Sequence, residues 1–268
     1  MKLAPRALPE LLAGRRIASV TGTLGTTTRP HVVSAAVRAG TPDSQRSVVT
    51  NADGANLHHG IVSALGQAPD ATIAVLETDE RVVADVVAMG SPEVLVLLNF
   101  SRDQLDRNHE LAFLGRDWRA ALEKAAEHGP TVVANACDPL IVWVCQKARH
   151  VIWVDTKPRW TADATLCPNC GAVLIHSDQG WDCPGCELQQ PAADWWVEDH
   201  DAVEASGRRF HLDVQVPGSF NLTNATCALA AAIHMGILPE DALRGVATVK
   251  SPAGRYATCT ISATRCGR

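Results

Sequence analysis

Short apolar runs recur along the chain, and more polar stretches of helix length separate them. The runs read as strands at Ile17–Val20, Ser47–Thr50, Thr72–Leu76, Val94–Leu98, Thr131–Ala134 and Val151–Val154. Several are apolar at consecutive positions, as in "VLVLL", a pattern expected of strands covered on both faces. The intervening stretches, such as Asn56–Leu65 and His109–His128, are long enough for crossover helices. This alternation predicts an α/β fold with a mostly parallel sheet flanked by helices. From Thr165 to Trp196 the pattern breaks, and cysteine, proline, glycine and tryptophan replace helical periodicity. That texture predicts a small inserted module. Short strands follow near Val203–Val216, and an alanine-rich helix is expected over about Asn224–Met235.

Polar residues fall at the carboxyl ends of the expected strands. Gly22 follows "IASV", Glu77 follows "TIAVL", Asn99 follows "VLVLL" and Asn135 follows "TVVA". Each alone reads as a turn residue. Together they lie on the rim where an open parallel sheet forms its ligand crevice.

The first of these turns lies in "IASVTGTLGTTTRP". A strand, a glycine-bounded loop and a threonine-rich helix start offer backbone N–H groups to an anion, with the helix dipole behind them. Thr26 or Thr27 could reach a Mg²⁺ ion. A phosphate loop of this type carries lysine after its last glycine, and Thr26 stands in that place. In "LETDE", Glu77, Asp79 and Glu80 supply hard oxygen donors suited to Mg²⁺, or simply an acidic helix start. In "PGSFNLTNA", Asn221 and Asn224 could cap a helix or face a ligand together.

The densest local signal is "CPNCGAVLIHSDQGWDCPGC". Cys167, Cys170, Cys183 and Cys186 form two CxxC knuckles that can place four thiolates around one Zn²⁺ ion. The competing reading is two disulfides or reactive thiols. A site closed by four cysteines leaves no position for water, so the expected role is structural. His176, between the knuckles, reads as a surface residue rather than a fifth ligand. The other five of the nine cysteines (Cys137, Cys145, Cys227, Cys259, Cys266) are scattered, which fits a reduced compartment better than a disulfide framework.

The remaining totals exclude more than they select. A chain of 268 residues, 46% hydrophobic and 20% charged, can bury a core without staples. A formal charge of −5 argues against nucleic acid as the main partner. No apolar run reaches spanning length and the first residues lack a signal-peptide core, so a cytoplasmic location is expected.

The motifs resemble those of the Mur ligases, and within them the MurT-like ligase subunits of enzymes that amidate lipid II. "VTGTLGTTTR" is similar to the family's ATP loop, and "TNADGANL", "LETDE", "LLNFSRDQLDR" and "VANACDP" follow in the family's order. The four-cysteine ribbon, "DWW", "PGSFNLTNA" and "AGRY" complete the match, which covers roughly Ile17 to Tyr256. The ribbon separates the MurT-like branch from other Mur ligases and counts against a folylpolyglutamate-synthase-like ligase.

The resemblance implies a central ATP-binding domain over 17–256, with the ribbon inserted at 165–197. Gly22, Thr23, Gly25, Thr26 and Thr27 would cradle phosphates, and Glu77 with Thr26 would hold Mg²⁺. Asn135, Asp138, Asn221 and Asn224 would lie along the nucleotide, and Arg255 would approach its phosphates. The implied reaction is ATP-dependent amidation of the D-glutamate α-carboxylate of lipid II. Ammonia would come from a glutamine amidotransferase partner resembling GatD. Departures from the pattern are the missing lysine, a loop shorter by a residue or two, a short segment at 1–16, and an end soon after "AGRY". Residues 257–268 then read as the stub of a C-terminal ligase domain, which would carry the family's acidic catalytic residue. These departures set up an alternative: a MurT-like binding or scaffold protein with impaired catalysis.

Overall fold

The computed structural model describes residues 6–21, 28–51, 55–99, 108–125, 127–157, 165–215 and 218–250. Its strands are β1 (Arg16–Thr21), β2 (Val48–Thr50), β3 (Ile73–Glu77), β4 (Val94–Leu97), β5 (Thr131–Asn135), β6 (His150–Asp155), β7 (Ile175–Ser177), β8 (Gly180–Asp182), β9 (Trp195–Glu198), β10 (Asp201–Glu204) and β11 (Arg209–His211). Its helices are α1 (Ala7–Leu12), α2 (Thr28–Ala39), α3 (Ser44–Ser47), α4 (His58–Gln67), α5 (Val83–Gly90), α6 (Asn108–Lys124), α7 (Pro139–Cys145), α8 (Ser219–His234) and α9 (Pro239–Ala247).

Nine strands form one sheet in the order β11-β10-β9-β6-β5-β4-β1-β3-β2. From β2 to β9 every neighbouring pair is parallel. β9, β10 and β11 then finish the sheet as an antiparallel meander. β7 and β8 form a separate hairpin.

Alternating side chains along each strand serve two cores. Ala18, Val20, Val94 and Val96 point to the face covered by α2, α8 and α9. Ile17, Leu76, Leu95 and Leu97 point to the face covered by α1 and α4 to α7. Both faces are therefore dry, which is why these strands read as unbroken apolar runs. Small residues bring the helices close. Alanines at 225, 228, 230, 231 and 232 of α8 are all buried. At Gly245 of α9 an added Cβ would meet the Ala35 carbonyl oxygen at 2.2 Å.

The expected mostly parallel α/β architecture is present, with several boundaries moved. Glu77 and Asn135 are the last residues of their strands rather than the residues after them. Ser47 belongs to α3, and Thr72 precedes β3. α8 begins at Ser219, ahead of the expected start at Asn224. Its weak helix formers Asn221, Thr223 and Asn224 are buried against the fold, and packing overrides their propensity. β9 begins at Trp195, inside the stretch whose composition suggested the inserted module. Trp195 is 4% exposed and pairs with Val154, so it belongs to the main sheet. After His211 the chain leaves the sheet; 212–215 carry no strand, and Val216 lies outside the described residues.

Candidate functional site: a sheet rim and a four-cysteine ribbon

The chain leaves β1 toward β3 and β2 on one side, and later places β4 on the other. β1 is thus the topological switch point, where the carboxyl ends of neighbouring strands open a crevice. Residues 22–27 follow β1 directly. Gly22, Thr23, Gly25, Thr26 and Thr27 lie outside the described residues, as does Arg255.

Glu77 borders this crevice at the end of β3. It is 6% exposed, and burial pushes its carboxyl up to about 7, against a hydrogen bond from the Asn56 side chain that favours the charged form. Nearby Glu80 adds to the rise. The backbone at Glu77 is clamped by Asn51: the Glu77 N–H donates to Asn51 Oδ1 at 2.8 Å, and Asn51 Nδ2 donates to the Glu77 carbonyl at 2.7 Å. Asn51 Nδ2 also donates to the Ala55 carbonyl at 2.9 Å. That carbonyl leaves room only for hydrogen at Gly60, where an added Cβ would meet the Ala55 oxygen at 2.3 Å. One more link ties β3 to β1: Thr78 Oγ1 and Ser19 Oγ lie 2.9 Å apart, both buried. A carboxylate on a clamped backbone, nearly dry and half-protonated near neutral pH, is poised to accept a cation.

Across the crevice, Asn135 ends β5 and is 7% exposed. Its Oδ1 accepts from the Cys137 N–H and the Thr156 hydroxyl, both at 2.9 Å. Asp138 caps α7: its Oδ1 accepts from the N–H groups of Leu140 and Ile141, and Pro139 occupies the first turn. Between them, Cys137 donates its thiol to Asp155 at 3.0 Å. Burial, reinforced by Asp155, pushes that thiol up to about 12, so it stays protonated. Asn221 and Asn224 share one face of α8 and are buried, rather than capping it; Gly218 is the N-cap. Asn224 Nδ2, and Thr21 Oγ1 at the end of β1, are buried without a hydrogen-bond partner among the described residues. Each such group costs roughly 1–3 kcal/mol unless a polar ligand or another group satisfies it. The rim therefore suits a polar ligand with a bound cation.

The second centre is local. The ribbon hairpin β7–β8 carries bridges at Leu166–Val173 and Asp182–Gln189 beside it. All four sulfurs of Cys167, Cys170, Cys183 and Cys186 lie within 4.8 Å of one another. The cross-knuckle separations, 3.6 Å for Cys167–Cys186 and 3.4 Å for Cys170–Cys183, exceed any disulfide bond. Backbone amides turn toward the sulfurs, as with Gly185 N–H to Cys183 at 3.4 Å. The Asn169 side chain, then the Leu188 amide, hold the Cys186 thiol down at about 6, whereas burial pushes Cys167 up. This donor set can hold a soft or borderline metal ion. His176 is exposed on β7, outside the four.

No family model matches the chain. Its sequence is 26% identical to the MurT subunit of lipid II isoglutaminyl synthase from Staphylococcus aureus, over 89% of this chain and 57% of that protein. It is 26% identical to the MurT subunit from Streptococcus pneumoniae, over 97% of this chain and 62% of that one. Among solved structures, a pseudomurein peptide ligase type C from Methanothermus fervidus superposes with a TM-score of 0.65 at 19% identity, covering 90% of this chain and 50% of that one. MurF from Acinetobacter baumannii gives 0.64 at 15% identity, covering 95% and 50%. The chain is similar in sequence to MurT subunits and has the fold of the Mur ligases.

The chain spans about six-tenths of the length of the MurT relatives it matches. No helix among its described residues is long and apolar enough to cross a membrane. Within it, the fold brings Glu77 and the residues flanking the 22–27 loop to one switch point, and puts Asn135 and Asp138 further along the same rim. Several residues of the site carried no sequence signal of their own. Asn51, Asn56 and Ser19 are ordinary polar positions until β1, β2 and β3 are set side by side. These three and Thr21 all lie within the quoted motifs, which do not single them out.

Proposed function

We propose that this chain is the nucleotide-binding part of an ATP-dependent amide-forming ligase acting on the D-glutamate α-carboxylate of lipid II. The observation that carries the reading is Glu77: a buried, clamped carboxylate at the switch point, in a chain matching MurT subunits over nearly its whole length. In this reading the 22–27 loop cradles the ATP phosphates. Glu77, with Thr26, holds Mg²⁺, which when bound neutralises charge developing on the transferred phosphoryl group. Asn135, Asp138, Asn221 and Asn224 line the nucleotide, and Arg255 faces its phosphates. The substrate carboxylate oxygen takes the γ-phosphoryl group and ADP leaves. Ammonia then forms the C–N bond at the acyl carbon, phosphate departs, and a proton is lost to give the D-isoglutamine amide. A glutamine amidotransferase resembling GatD supplies the ammonia. The four cysteines hold Zn²⁺ as a structural ion, and the protein works in the cytoplasm.

A second reading has its own observation. Thr26 replaces the lysine that would bind the transferred phosphate. Losing one charge-assisted hydrogen bond removes about 1.5–3 kcal/mol, roughly ten- to a hundredfold in affinity. The chain would then bind its partner or nucleotide without turnover.

Calorimetric titration with Mg·ATP, beside Thr26→Lys and Glu77→Gln, separates the two. Micromolar binding by the parent, lost in Glu77→Gln, is expected of a working site. Binding only by Thr26→Lys supports the impaired reading. No binding by either sinks the nucleotide assignment.

A further inference from the structure

The ribbon is bonded to the rim rather than hung beside it. Its small core of Leu174, Trp181, Leu188 and two of the cysteines runs into Val142 of α7, with Trp143 and Trp153 packed partly against it. Two contacts reach the turn between Asn135 and Asp138. Trp181, 4% exposed on β8, donates from Nε1 to the Ala136 carbonyl at 3.3 Å. Gln190 donates from its backbone N–H to the Trp181 carbonyl at 2.8 Å, and its side-chain Nε2 lies 3.7 Å from Cys137 Sγ. A third contact comes from the first knuckle, where Asn169 Oδ1 accepts from Trp143 Nε1 of α7 at 3.3 Å. Ala136 and Cys137 are the residues that join Asn135 to Asp138.

We infer that Trp181 and Gln190 are positioning residues: the metal-loaded ribbon uses them to fix the 135–138 turn, so that metal occupancy and nucleotide affinity are linked. The nucleotide half of this inference rests on the function proposed above. The turn has supports outside the ribbon: the Asp138 cap, the Asn135–Cys137 hydrogen bond, the Ala136 N–H donating to the Val154 carbonyl at 3.0 Å and the Cys137 thiol donating to Asp155. The ribbon adds the donor to the Ala136 carbonyl and the Gln190 contact at Cys137. A module this small has too little core to stay folded without its ion. Emptying the four thiols therefore releases Trp181 and Gln190 together, and the Ala136 carbonyl loses its buried donor. Linkage is reciprocal, so bound nucleotide must in turn retain the metal.

The test compares the metal-loaded parent, the metal-stripped parent and Trp181→Phe, which keeps an aromatic ring and all four thiols but drops the donor. Amide exchange at Ala136–Cys137 is read first, because it needs no nucleotide. It is expected to rise about fivefold or more in Trp181→Phe and in the stripped chain, while β1 and β3 amides stay protected. Mg·ATP affinity should weaken by about the same factor in Trp181→Phe at unchanged metal stoichiometry. Mg·ATP should also slow extraction of the metal by a chelator from the parent, and less so from the variant. Should Trp181→Phe fail to fold, Gln190→Met removes the second contact from outside the ligand set. Unchanged exchange at the turn in both variants and in the stripped chain overturns the inference. If exchange rises but the parent binds no Mg·ATP, the positioning of the turn stands and the proposed function falls.

Discussion

The ribbon and the rim of the sheet both gather polar side chains, yet they are assembled in opposite ways. In the ribbon, four donors arrive from two knuckles within about twenty residues, and their backbone turns already aim them inward. At the rim, Thr21, Glu77, Asn135 and Asn224 come from β1, β3, β5 and α8. The difference teaches where each centre is fragile. A local site fails when one of its own residues or its ion is lost. A distributed site depends as well on packing away from it, as with Gly60 against the Ala55 carbonyl.

Loading the four thiols with Zn²⁺ and then stripping it with a chelator tests the local side most severely. Structural four-thiolate sites contribute on the order of 10–16 kcal/mol of binding energy that is also folding energy. Amides of 165–190 are expected to lose protection entirely while β1, β3 and β4 remain slow. Loss of protection across the whole sheet would show that the two regions fold as one unit.

The packing dependence of the rim is tested by Gly60→Ala. The added methyl meets the Ala55 carbonyl at 2.3 Å and the Ala55 Cβ at 2.7 Å, neither a flexible side-chain end, so about 3 kcal/mol of stability should vanish in urea denaturation, with the four-cysteine site intact. A change below about 0.5 kcal/mol would mean that the 51–56 segment yields freely.

Glu77 gives the rim a pH signature of its own. Its carboxyl titrates at about 7 in the folded chain, against 4.5 ordinarily. The folded state therefore holds an extra proton between those values, and stability falls as pH rises through that window. The decline amounts to about 2–3 kcal/mol at full development above pH 7. Denaturation from pH 4.5 to 8 should show it in the parent and not in Glu77→Gln. Mg²⁺ should recover stability at pH 8 in the parent alone, since it takes over from the proton.

Smaller effects mark the ends of the comparison. Asp138→Ala removes the α7 cap and should cost about 1 kcal/mol, with Asp138→Asn close to the parent. Glu93→Gln, which breaks a partly exposed ion pair with Arg16 at the amino ends of β4 and β1, away from the rim, should cost about 0.5 kcal/mol or less and fade in salt.

The ease of reading each region follows from its assembly. The four cysteines were legible as a cluster because ligand spacing is a property of the local chain. Strands β1, β3, β4 and β5 were legible because each is buried on both faces around an apolar run, and β2 and β6 because short apolar runs mark them although β6 is mostly half-buried. Trp195 was misplaced because a tryptophan beside a cysteine-rich ribbon looks like ribbon; only its pairing with Val154 assigns it to the sheet. Asn221 and Asn224 looked like caps because asparagine disfavours helix interiors, yet α8 starts earlier and buries them.

By itself the sequence determined the parallel α/β architecture, the thiol cluster and which strand ends carry polar groups, because periodicity and short-range spacing encode these directly. Only the tertiary structure decided that Asn51 clamps Glu77, that burial lifts its carboxyl toward neutrality, and that Trp181 bonds the ribbon to the turn between Asn135 and Asp138. Those facts depend on strand order and on contacts between residues 26 to 45 positions apart. Desolvation and hydrogen-bond partnership arise from such contacts, and no local pattern along the chain specifies them.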